Sequence, residues 1–236
     1  ENASEFSSSI KGETIEDTVR VLHSYADCIV LRHFAEGTAK KAAQLSNVPI
    51  INAGDGGGQH PTQSLLDIYT IQREIGRLHD LKVAIVGDLA NGRTARSLCY
   101  LLAKFERNHI IFLAPDNLKM KPDIKHYLQM HETSYEEASS LPIILPQVDV
   151  VYMTRLQKER MRPNEYKKAK GKYVITLENL LLMRKDARLL HPLPKVDEIQ
   201  LSLDIEKEDS RVAYFRQADN GLYIRMTILE HLINRS

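Results

Sequence analysis

The stretch Lys82–Thr94, KVAIVGDLANGRT, contains an apolar strand, a turn with two glycines and the start of a helix. Such a unit is typical of parallel α/β folds. The glycine spacing does not match the G-x-G-x-x-G turn of dinucleotide-binding proteins, and the Arg93 side chain would crowd the close approach of a pyrophosphate to the backbone. A cation at a helix N-terminus also opposes the helix dipole, so we expect Arg93 to bind an anion.

The alternation of strand and helix continues along the whole chain. Short β-rich runs separated by stretches of helical period predict an α/β fold with two domains, each a mostly parallel sheet flanked by helices. The predicted strands are Cys28–Leu31, Val48–Asn52, Lys82–Val86, His109–Leu113, Val148–Met153, Tyr173–Ile175 and Arg188–Leu190. The predicted helices are Ile15–Tyr25, Thr38–Leu45, Pro61–Gly76, Thr94–Lys104, Pro122–Met130, Leu177–Met183 and Gly221–Asn234. We place one domain at residues 1–76 plus 217–236 and the other at 77–216, with irregular chain or a short helix at Met130–Gln147, where two prolines occur.

Composition excludes several classes of protein. The chain has 236 residues with 43% hydrophobic content, which is enough for a substantial core. Its 32 Lys and Arg residues nearly balance its 31 Asp and Glu residues, so the net charge of +1 does not favour nucleic acid or an anionic membrane as a partner. Both cysteines, Cys28 and Cys99, lie in apolar runs, which indicates free thiols in a reducing compartment. Because the histidines are too scattered for zinc and no apolar stretch approaches the roughly 20 residues that span a bilayer, we expect no metal, cofactor, nucleic acid or membrane partner.

Polar side chains follow four further predicted strands, at the position where ligands bind in open α/β sheets. Arg32 and His33 follow the first strand, although such a pair is more often a surface feature. The turn Ala53–Gln63 is rich in glycine and leads into a helix, so it could be a flexible loop or an anion site. His60 and Gln63 lie three residues apart in the first helical turn, where both could donate to one carbonyl oxygen, and this spacing favours the site.

Two later strands also end in polar residues. Arg155 and Gln157 follow the strand Val148–Met153, in a segment of alternating charge that would ordinarily be a solvated loop. The segment His191–Glu198 contains two prolines and predicts a rigid turn, which is usually structural but can present backbone carbonyls to a ligand. The strand ends therefore carry arginines, a histidine and amides, without a nucleophilic serine or cysteine in a matching setting. We infer a substrate with several negative charges, acted on by positioning and electrostatics.

A series of motifs, in order along the chain, gives the sequence a family resemblance. They are Lys11-Gly12-Glu13-Thr14 with Asp17-Thr18, Arg32-His33, Asn52-Ala53-Gly54-Asp55, His60-Pro61-Thr62-Gln63, Gly87-Asp88-Leu89 with Gly92-Arg93-Thr94, Thr154-Arg155-Leu156-Gln157-Lys158-Glu159-Arg160, and His191-Pro192-Leu193-Pro194 with Val196-Asp197-Glu198-Ile199. With these motifs the sequence resembles the carbamoyltransferases, and among them the aspartate enzymes. The resemblance implies transfer of the carbamoyl group of carbamoyl phosphate to the amino group of L-aspartate, giving N-carbamoyl-L-aspartate and phosphate, in pyrimidine biosynthesis. It also implies that the first domain binds carbamoyl phosphate and the second binds aspartate.

The resemblance also implies roles for individual residues. The implied carbamoyl phosphate ligands are Ser7, Arg32, His60, Gln63, Leu193 and Pro194. The implied aspartate ligands are Lys11, Arg93, Arg155 and Gln157. Arg32, His60 and Lys11 would be catalytic, with the first two polarising the carbonyl oxygen. Ser7 and Lys11 would belong to a loop that enters the active site of a neighbouring subunit, which implies a homotrimer with shared sites.

The sequence departs from the family pattern in two ways. Lys195 stands where an arginine is usual, which keeps the charge but loses the planar fork. The family's Ser-Thr-Arg-Thr-Arg phosphate-binding motif does not occur in the chain, and we expect it to lie upstream of Glu1.

Two alternatives remain open from the sequence. One is another amino-acid carbamoyltransferase, such as ornithine carbamoyltransferase, but those enzymes typically carry a cysteine at the place of Pro192 and a Ser-Met-Gly loop, which this chain lacks. The other is a non-catalytic paralogue or fragment that serves as an assembly partner. We expect a cytoplasmic protein, while organelle targeting upstream of residue 1 and a regulatory subunit stay open.

Overall fold

The computed structural model describes residues 12–234. The strands are β1 Ile29–His33, β2 Ile50–Asp55, β3 Lys82–Val86, β4 His109–Leu113, β5 Ser134–Ala138, β6 Val150–Met153 and β7 Arg188–Leu190. The α-helices are α1 Ile15–Leu22, α2 Thr38–Ala43, α3 Pro61–Ile75, α4 Arg93–Leu102, α5 Pro122–Met130, α6 Leu141–Ile144, α7 Pro163–Ala169, α8 Leu177–Leu182, α9 Leu203–Glu208 and α10 Tyr214–Ile233. Short 3-10 turns lie at Asp116–Leu118, Leu145–Gln147 and Lys158–Arg160. None of the helices within this part of the chain has the length and apolar character needed to cross a membrane.

The chain divides into two compact units. The first consists of Glu1–Thr62 with Arg225–Ser236, and the second consists of Gln63–Ile224. In the described part of the first unit, β1 and β2 form a parallel pair in which Ile29 is opposite Ile50. The register shifts between Leu31 and His33, so the pair is irregular where β1 ends.

The second unit contains a five-stranded sheet in which every pair of neighbours is parallel. Its strand order is β5-β4-β3-β6-β7. The chain therefore leaves β3 towards β4 and β5 on one side and returns to β6 and β7 on the other. The carboxyl ends of β3 and β6 flank this change of direction, which is where open α/β sheets bind ligands.

Alternate residues of the strands supply two apolar layers, one on each face of this sheet. Val83 and Ile85 belong to the layer that α4 and α5 cover, whereas Ala84 and Val86 belong to the layer that α6 and α8 cover. All four side chains are fully buried. Burial of a valine or isoleucine side chain contributes about 1.5–3 kcal/mol, so burial on both faces explains the continuous apolar runs in the sequence.

The predicted fold class is confirmed, and the bounds of β3, β4, β7 and α5 are those predicted. The predicted strand Tyr173–Ile175 is wrong, because this segment is joined to its neighbour only by a bridge from Ile175 to Ile199. The expectation for Met130–Gln147 missed β5, whose sequence SYEEA is polar because it lies at the edge of the sheet and is largely exposed. Helices α7 and α9 were not predicted, and α10 begins at Tyr214 rather than at Gly221.

The predicted domains, residues 1–76 plus 217–236 and residues 77–216, stay a prediction. The two compact units describe how the chain packs, and packing alone does not define which residues bind which ligand.

Candidate active site

Arg32 and His33 lie within β1 rather than after it, because the strand extends to His33. The Arg32 side chain is exposed. His33 has a structural role, since the Ala35 amide donates to its Nδ1 at 3.0 Å and its ring stacks on Phe34. Of the two predicted cations at this strand end, the structure therefore leaves Arg32 as the ligand candidate.

The glycine-rich turn of the first unit is organised by Asp55. Its carboxylate accepts from the Gly37 amide at 2.9 Å and from the Gln59 amide at 2.9 Å. Burial alone would raise the pKa of Asp55, but these hydrogen bonds and one from Asn52 hold it below its ordinary value. Gly56 has a φ of 48°, and a Cβ there would lie 2.4 Å from the Phe34 carbonyl oxygen. The loop is therefore a turn of defined conformation that requires glycine at this position.

His60 and Gln63 flank the start of α3, and they fall in different compact units. His60 is half-buried in the first unit, with Nδ1 3.3 Å from the Thr62 hydroxyl. Gln63 is buried in the second unit, and its Nε2 donates to Asp67 at 2.8 Å. The sequence did not predict Asp67. The signal was present, however, because Asp67 follows Gln63 by one helical turn and lies among apolar residues of the same helix.

Two glycines in the turn after β3 make close backbone contacts, Gly87 with the segment after β6 and Gly92 within the turn itself. Gly87 has a φ of 118°, and a Cβ there would lie 2.2 Å from the Thr154 carbonyl oxygen. A Cβ on Gly92 would lie 2.3 Å from the Asp88 carbonyl oxygen. Glycine is therefore required at both positions, for close packing of backbone on backbone.

Three of the predicted aspartate ligands, Arg93, Arg155 and Gln157, lie around this turn. Arg93 is half-buried and opens α4. The backbone N–H of Gln157 donates to the Asp88 carboxylate at 3.4 Å, and the same buried carboxylate accepts from the backbone N–H of Asn91 at 3.0 Å. Asp88 thus joins the segment after β6 to the segment after β3. The sequence did not assign this bracing role to Asp88.

Arg155 forms a two-point ion pair with Glu159. Its Nη1 and Nη2 donate at 3.0 and 2.5 Å to the two carboxylate oxygens. The Glu159 carboxylate raises the pKa of Arg155, so the guanidinium is always charged. Arg155 lines a cavity of about 140 Å³ together with Lys158 and Lys170, which bring two further cations, and with Glu198.

The proline turn after β7 is braced by His191, which is buried. The Leu193 amide donates to His191 Nδ1 at 2.8 Å, so this nitrogen carries no proton, and Nε2 lies 2.9 Å from Glu198 Oε1. Burial alone would raise the pKa of Glu198, but His191 and the Val196 amide hold it below its ordinary value. Leu193 has a φ of 52°, which is rare outside glycine, and the Leu193–Pro194 peptide is cis.

The remaining sequence predictions concern Ser7, Lys11, Lys195 and a metal site. Ser7 and Lys11 lie outside the described residues. Lys195, the departure from the family pattern, pairs with the buried Glu206 at 2.6 Å. Within residues 12–234, no group of three or more His, Cys, Asp or Glu side chains is arranged to hold a metal.

The fold and these strand-end side chains define an α/β protein with arginines beside the topological switch point of a parallel sheet. The family model "Aspartate/ornithine carbamoyltransferase, carbamoyl-P binding domain" matches residues 1–73, and "Aspartate/ornithine carbamoyltransferase, Asp/Orn binding domain" matches residues 79–232. The chain belongs to the aspartate/ornithine carbamoyltransferase family.

Similar proteins of known name agree with this family. Aspartate carbamoyltransferase 1, chloroplastic, of Pisum sativum is 55% identical over 235 residues, which are 99% of this chain and 60% of the relative. The chloroplastic enzyme of Arabidopsis thaliana has the same identity and coverage. This chain thus spans about three fifths of the length of these relatives.

Solved structures agree with the fold. The catalytic subunit of M. jannaschii aspartate transcarbamoylase is 48% identical, with a TM-score of 0.87 over 98% of this chain and 74% of that chain. The Trypanosoma cruzi aspartate transcarbamoylase in complex with N-(phosphonacetyl)-L-aspartic acid is 38% identical, with a TM-score of 0.87 over 95% of this chain and 72% of that chain.

Proposed function

We propose that the protein transfers the carbamoyl group of carbamoyl phosphate to the amino group of L-aspartate. The observation that carries the proposal is Arg155, whose guanidinium fork lines a cavity after β6, at the switch point. A planar fork pairs bidentately with a carboxylate. The names of the plant relatives support the same reaction, as do the Trypanosoma cruzi structures with aspartate and phosphate and with carbamoyl phosphate.

In this proposal, the carbamoyl phosphate ligands act on its carbonyl group. Arg32 and His60 donate to the carbonyl oxygen and stabilise the negative charge that develops on it. Gln63 and the backbone of Leu193 and Pro194 hold the carbamoyl amide and orient its carbon towards the amine.

The aspartate ligands provide one cation for each carboxylate. Arg93 and Arg155 bind the two carboxylates, and Gln157 adds an amide contact. The contact between Arg155 and Glu159 has the geometry that a bound carboxylate would need. We therefore propose that the ligand carboxylate replaces Glu159 at this fork.

The reaction needs the aspartate amine in its neutral form. Its nitrogen lone pair attacks the carbonyl carbon, so a C–N bond forms and the carbonyl oxygen becomes an oxyanion. Collapse of this tetrahedral intermediate breaks the bond to the phosphate oxygen, and the departing phosphate takes the proton from the nitrogen. Water would compete with the amine, so exclusion of water favours this reaction.

We also propose a homotrimer in which Ser7 and Lys11 enter the site of a neighbouring subunit. Mixing a Lys11→Ala variant with a His60→Ala variant tests this arrangement. Each is expected to be nearly inactive alone, and co-refolded mixtures should recover activity because some sites then contain neither substitution. No recovery, or a monomer in sedimentation velocity, would refute shared sites.

Formation of carbamoylaspartate by the whole chain tests the reaction, with Arg155→Ala as the main variant. Loss of two charged hydrogen bonds, at about 1.5 kcal/mol each, predicts a fall of about 150-fold in kcat/KM for aspartate. Arg107→Ala is the matched control. Arg107 also forms an exposed two-point pair, with Asp80 at 2.6 and 2.8 Å, but it lies just before β4, at the opposite end of the strands. We expect its kcat/KM to stay within about twofold of wild type.

The alternatives give different outcomes in the same assay. Ornithine as acceptor should give no product, and citrulline formation would favour an ornithine enzyme. Equal activity of wild type and Arg155→Ala would refute the site. Inactivity of the wild-type full-length protein with both acceptors would favour the non-catalytic assembly partner.

A further inference from the structure

The second unit contains a buried carboxylate whose described hydrogen-bond partners are all neutral. Asp67 is fully buried on α3. Its Oδ1 accepts from Gln63 Nε2 at 2.8 Å and from Gln217 Nε2 at 2.6 Å, and its Oδ2 accepts from the Tyr152 hydroxyl at 2.8 Å. An ionised carboxylate only accepts hydrogen bonds, so three donors match this form of Asp67.

The contact with Asp67 fixes which end of the Gln63 amide faces the carboxylate. Rotating the amide by half a turn would place Gln63 Oε1 against Asp67 Oδ1. That rotation would remove a charge-assisted hydrogen bond and bring two acceptors together. Gln63 Oε1 is therefore the end that can accept from the NH₂ of a carbamoyl group.

The same carboxylate reaches the proline turn through Gln217. Gln217 donates to Asp67 and accepts from the His191 amide at 2.8 Å. His191 Nδ1 in turn accepts from the Leu193 amide at 2.8 Å. An unbroken series of hydrogen bonds thus joins Asp67 to the residue proposed to contact the carbamoyl group.

If position 67 had only a structural role, an apolar side chain or a carboxylate paired with an arginine would stabilise the fold better than Asp67 does. Another largely buried carboxylate of this unit, Asp149, pairs instead with two arginines, Arg77 and Arg184. An apolar side chain at position 67 would avoid the cost of burying a charge. Asp67 is retained in an environment that raises its pKa to about 7, chiefly through burial. The charge is explained by its effect on the three donors, because the carboxylate fixes the orientation of the two glutamine amides and of the tyrosine hydroxyl.

We propose that Asp67 is a positioning residue that orients the Gln63 amide and the Leu193 turn towards the carbamoyl group of the substrate. This inference rests on the proposed function. It predicts that changes at Asp67 alter recognition of the carbamoyl amide more than recognition of phosphate.

Three variants of the full-length protein separate positioning from stability. Asp67→Leu keeps the branched shape of the side chain, with larger terminal groups, and removes the acceptors. Asp67→Asn keeps an oxygen for the two glutamines, and its Nδ2 can donate to the Tyr152 oxygen. Thr70→Val is the matched control, because Thr70 is equally buried on α3 but contacts Leu66 and Asn220.

Titration calorimetry with two probes measures the effect. Phosphonoacetamide, a stable analogue of carbamoyl phosphate, has the amide, whereas inorganic phosphate lacks it. In Asp67→Leu we expect phosphonoacetamide to bind about tenfold more weakly and phosphate to change less than twofold. Asp67→Asn should restore phosphonoacetamide to within about threefold of wild type, and Thr70→Val should match wild type for both probes.

The outcomes distinguish this inference from the proposed function. Wild type that binds neither probe overturns both. Wild type that binds phosphonoacetamide, with unchanged binding in Asp67→Leu or an equal loss of both probes, overturns the positioning role alone. If Asp67→Leu does not fold, hydrogen exchange of the Gln63 side-chain NH₂ in wild type decides. Slow exchange supports the contact with Asp67, and free rotation of the amide overturns it.

Discussion

Replacement of Asp67 by asparagine should make the protein more stable at neutral pH. Burial raises the pKa of Asp67 from its ordinary 3.8 to about 7, although hydrogen bonds from Gln217, Tyr152 and Gln63 lower it in part. Between these two values the folded state binds more protons at this site than the unfolded state. The free energy of unfolding therefore falls as pH rises through this window, and it levels off above pH 7.

The size of the effect follows from the pKa difference. The step from 3.8 to about 7 corresponds to about 4 kcal/mol, at about 1.4 kcal/mol for each pKa unit. About 3 kcal/mol of this lies between pH 4.5 and pH 8. Asparagine does not titrate. Its advantage over wild type should therefore grow by about 3 kcal/mol across this range, which is a shift of at least about 1 M in the urea midpoint.

Urea unfolding followed by circular dichroism measures this difference, since the sequence has no tryptophan. Asp123→Asn is the control. Asp123 is more exposed than Asp67, and Arg96 lowers its pKa, so the ionised Asp123 carboxylate stops stabilising the fold only below about pH 4. Its difference from wild type should be constant between pH 4.5 and pH 8. A constant difference for Asp67→Asn as well would mean that Asp67 is ionised throughout, and the argument from burial would be wrong.

Two further predictions concern backbone contact and thiol chemistry. Gly87→Ala should destabilise the protein by more than about 2 kcal/mol, because its Cβ would meet the Thr154 carbonyl oxygen at 2.2 Å. Gly171→Ala, with φ of 77° and open space, should cost only about 1 kcal/mol in thermal unfolding, and equal losses would contradict the contact argument. Cys99 is buried and burial raises its thiol pKa, whereas Cys28 is partly exposed. Ellman's reagent should therefore label Cys28 first, and early labelling of Cys99 would contradict its burial.

The sequence predicted most where burial on both faces controls composition. Strands β3, β4 and β7 are apolar runs, and their predicted bounds match the structure. Sequence reasoning failed at β5, which pairs with β4 on one side only and carries polar side chains. It also failed at Tyr173–Ile175, whose apolar residues pack in the core without joining the ladder.

For the candidate site, side chains that follow a strand could be predicted from the sequence, but the hydrogen bonds that hold the site together could not. Arg155 was placed correctly at the carboxyl end of β6, because a strand end can be recognised from local pattern. Partners of Asp67 come from residues 63, 152 and 217, and no local pattern brings these together. Such contacts depend on tertiary packing, so sequence order alone does not reveal them.

The neutral partners of Asp67 also have an electrostatic consequence. Glu74 pairs with Arg188 and Arg216, and in such pairs each guanidinium is partly neutralised by the carboxylate. A further arginine beside Asp67 would add a cation next to Gln63, where it would attract phosphate without discriminating the carbamoyl amide. Amide and hydroxyl donors instead stabilise the carboxylate through geometry. In the proposed site they would fix the orientation of Gln63, and attraction of the anionic substrates would fall to the arginines at the strand ends.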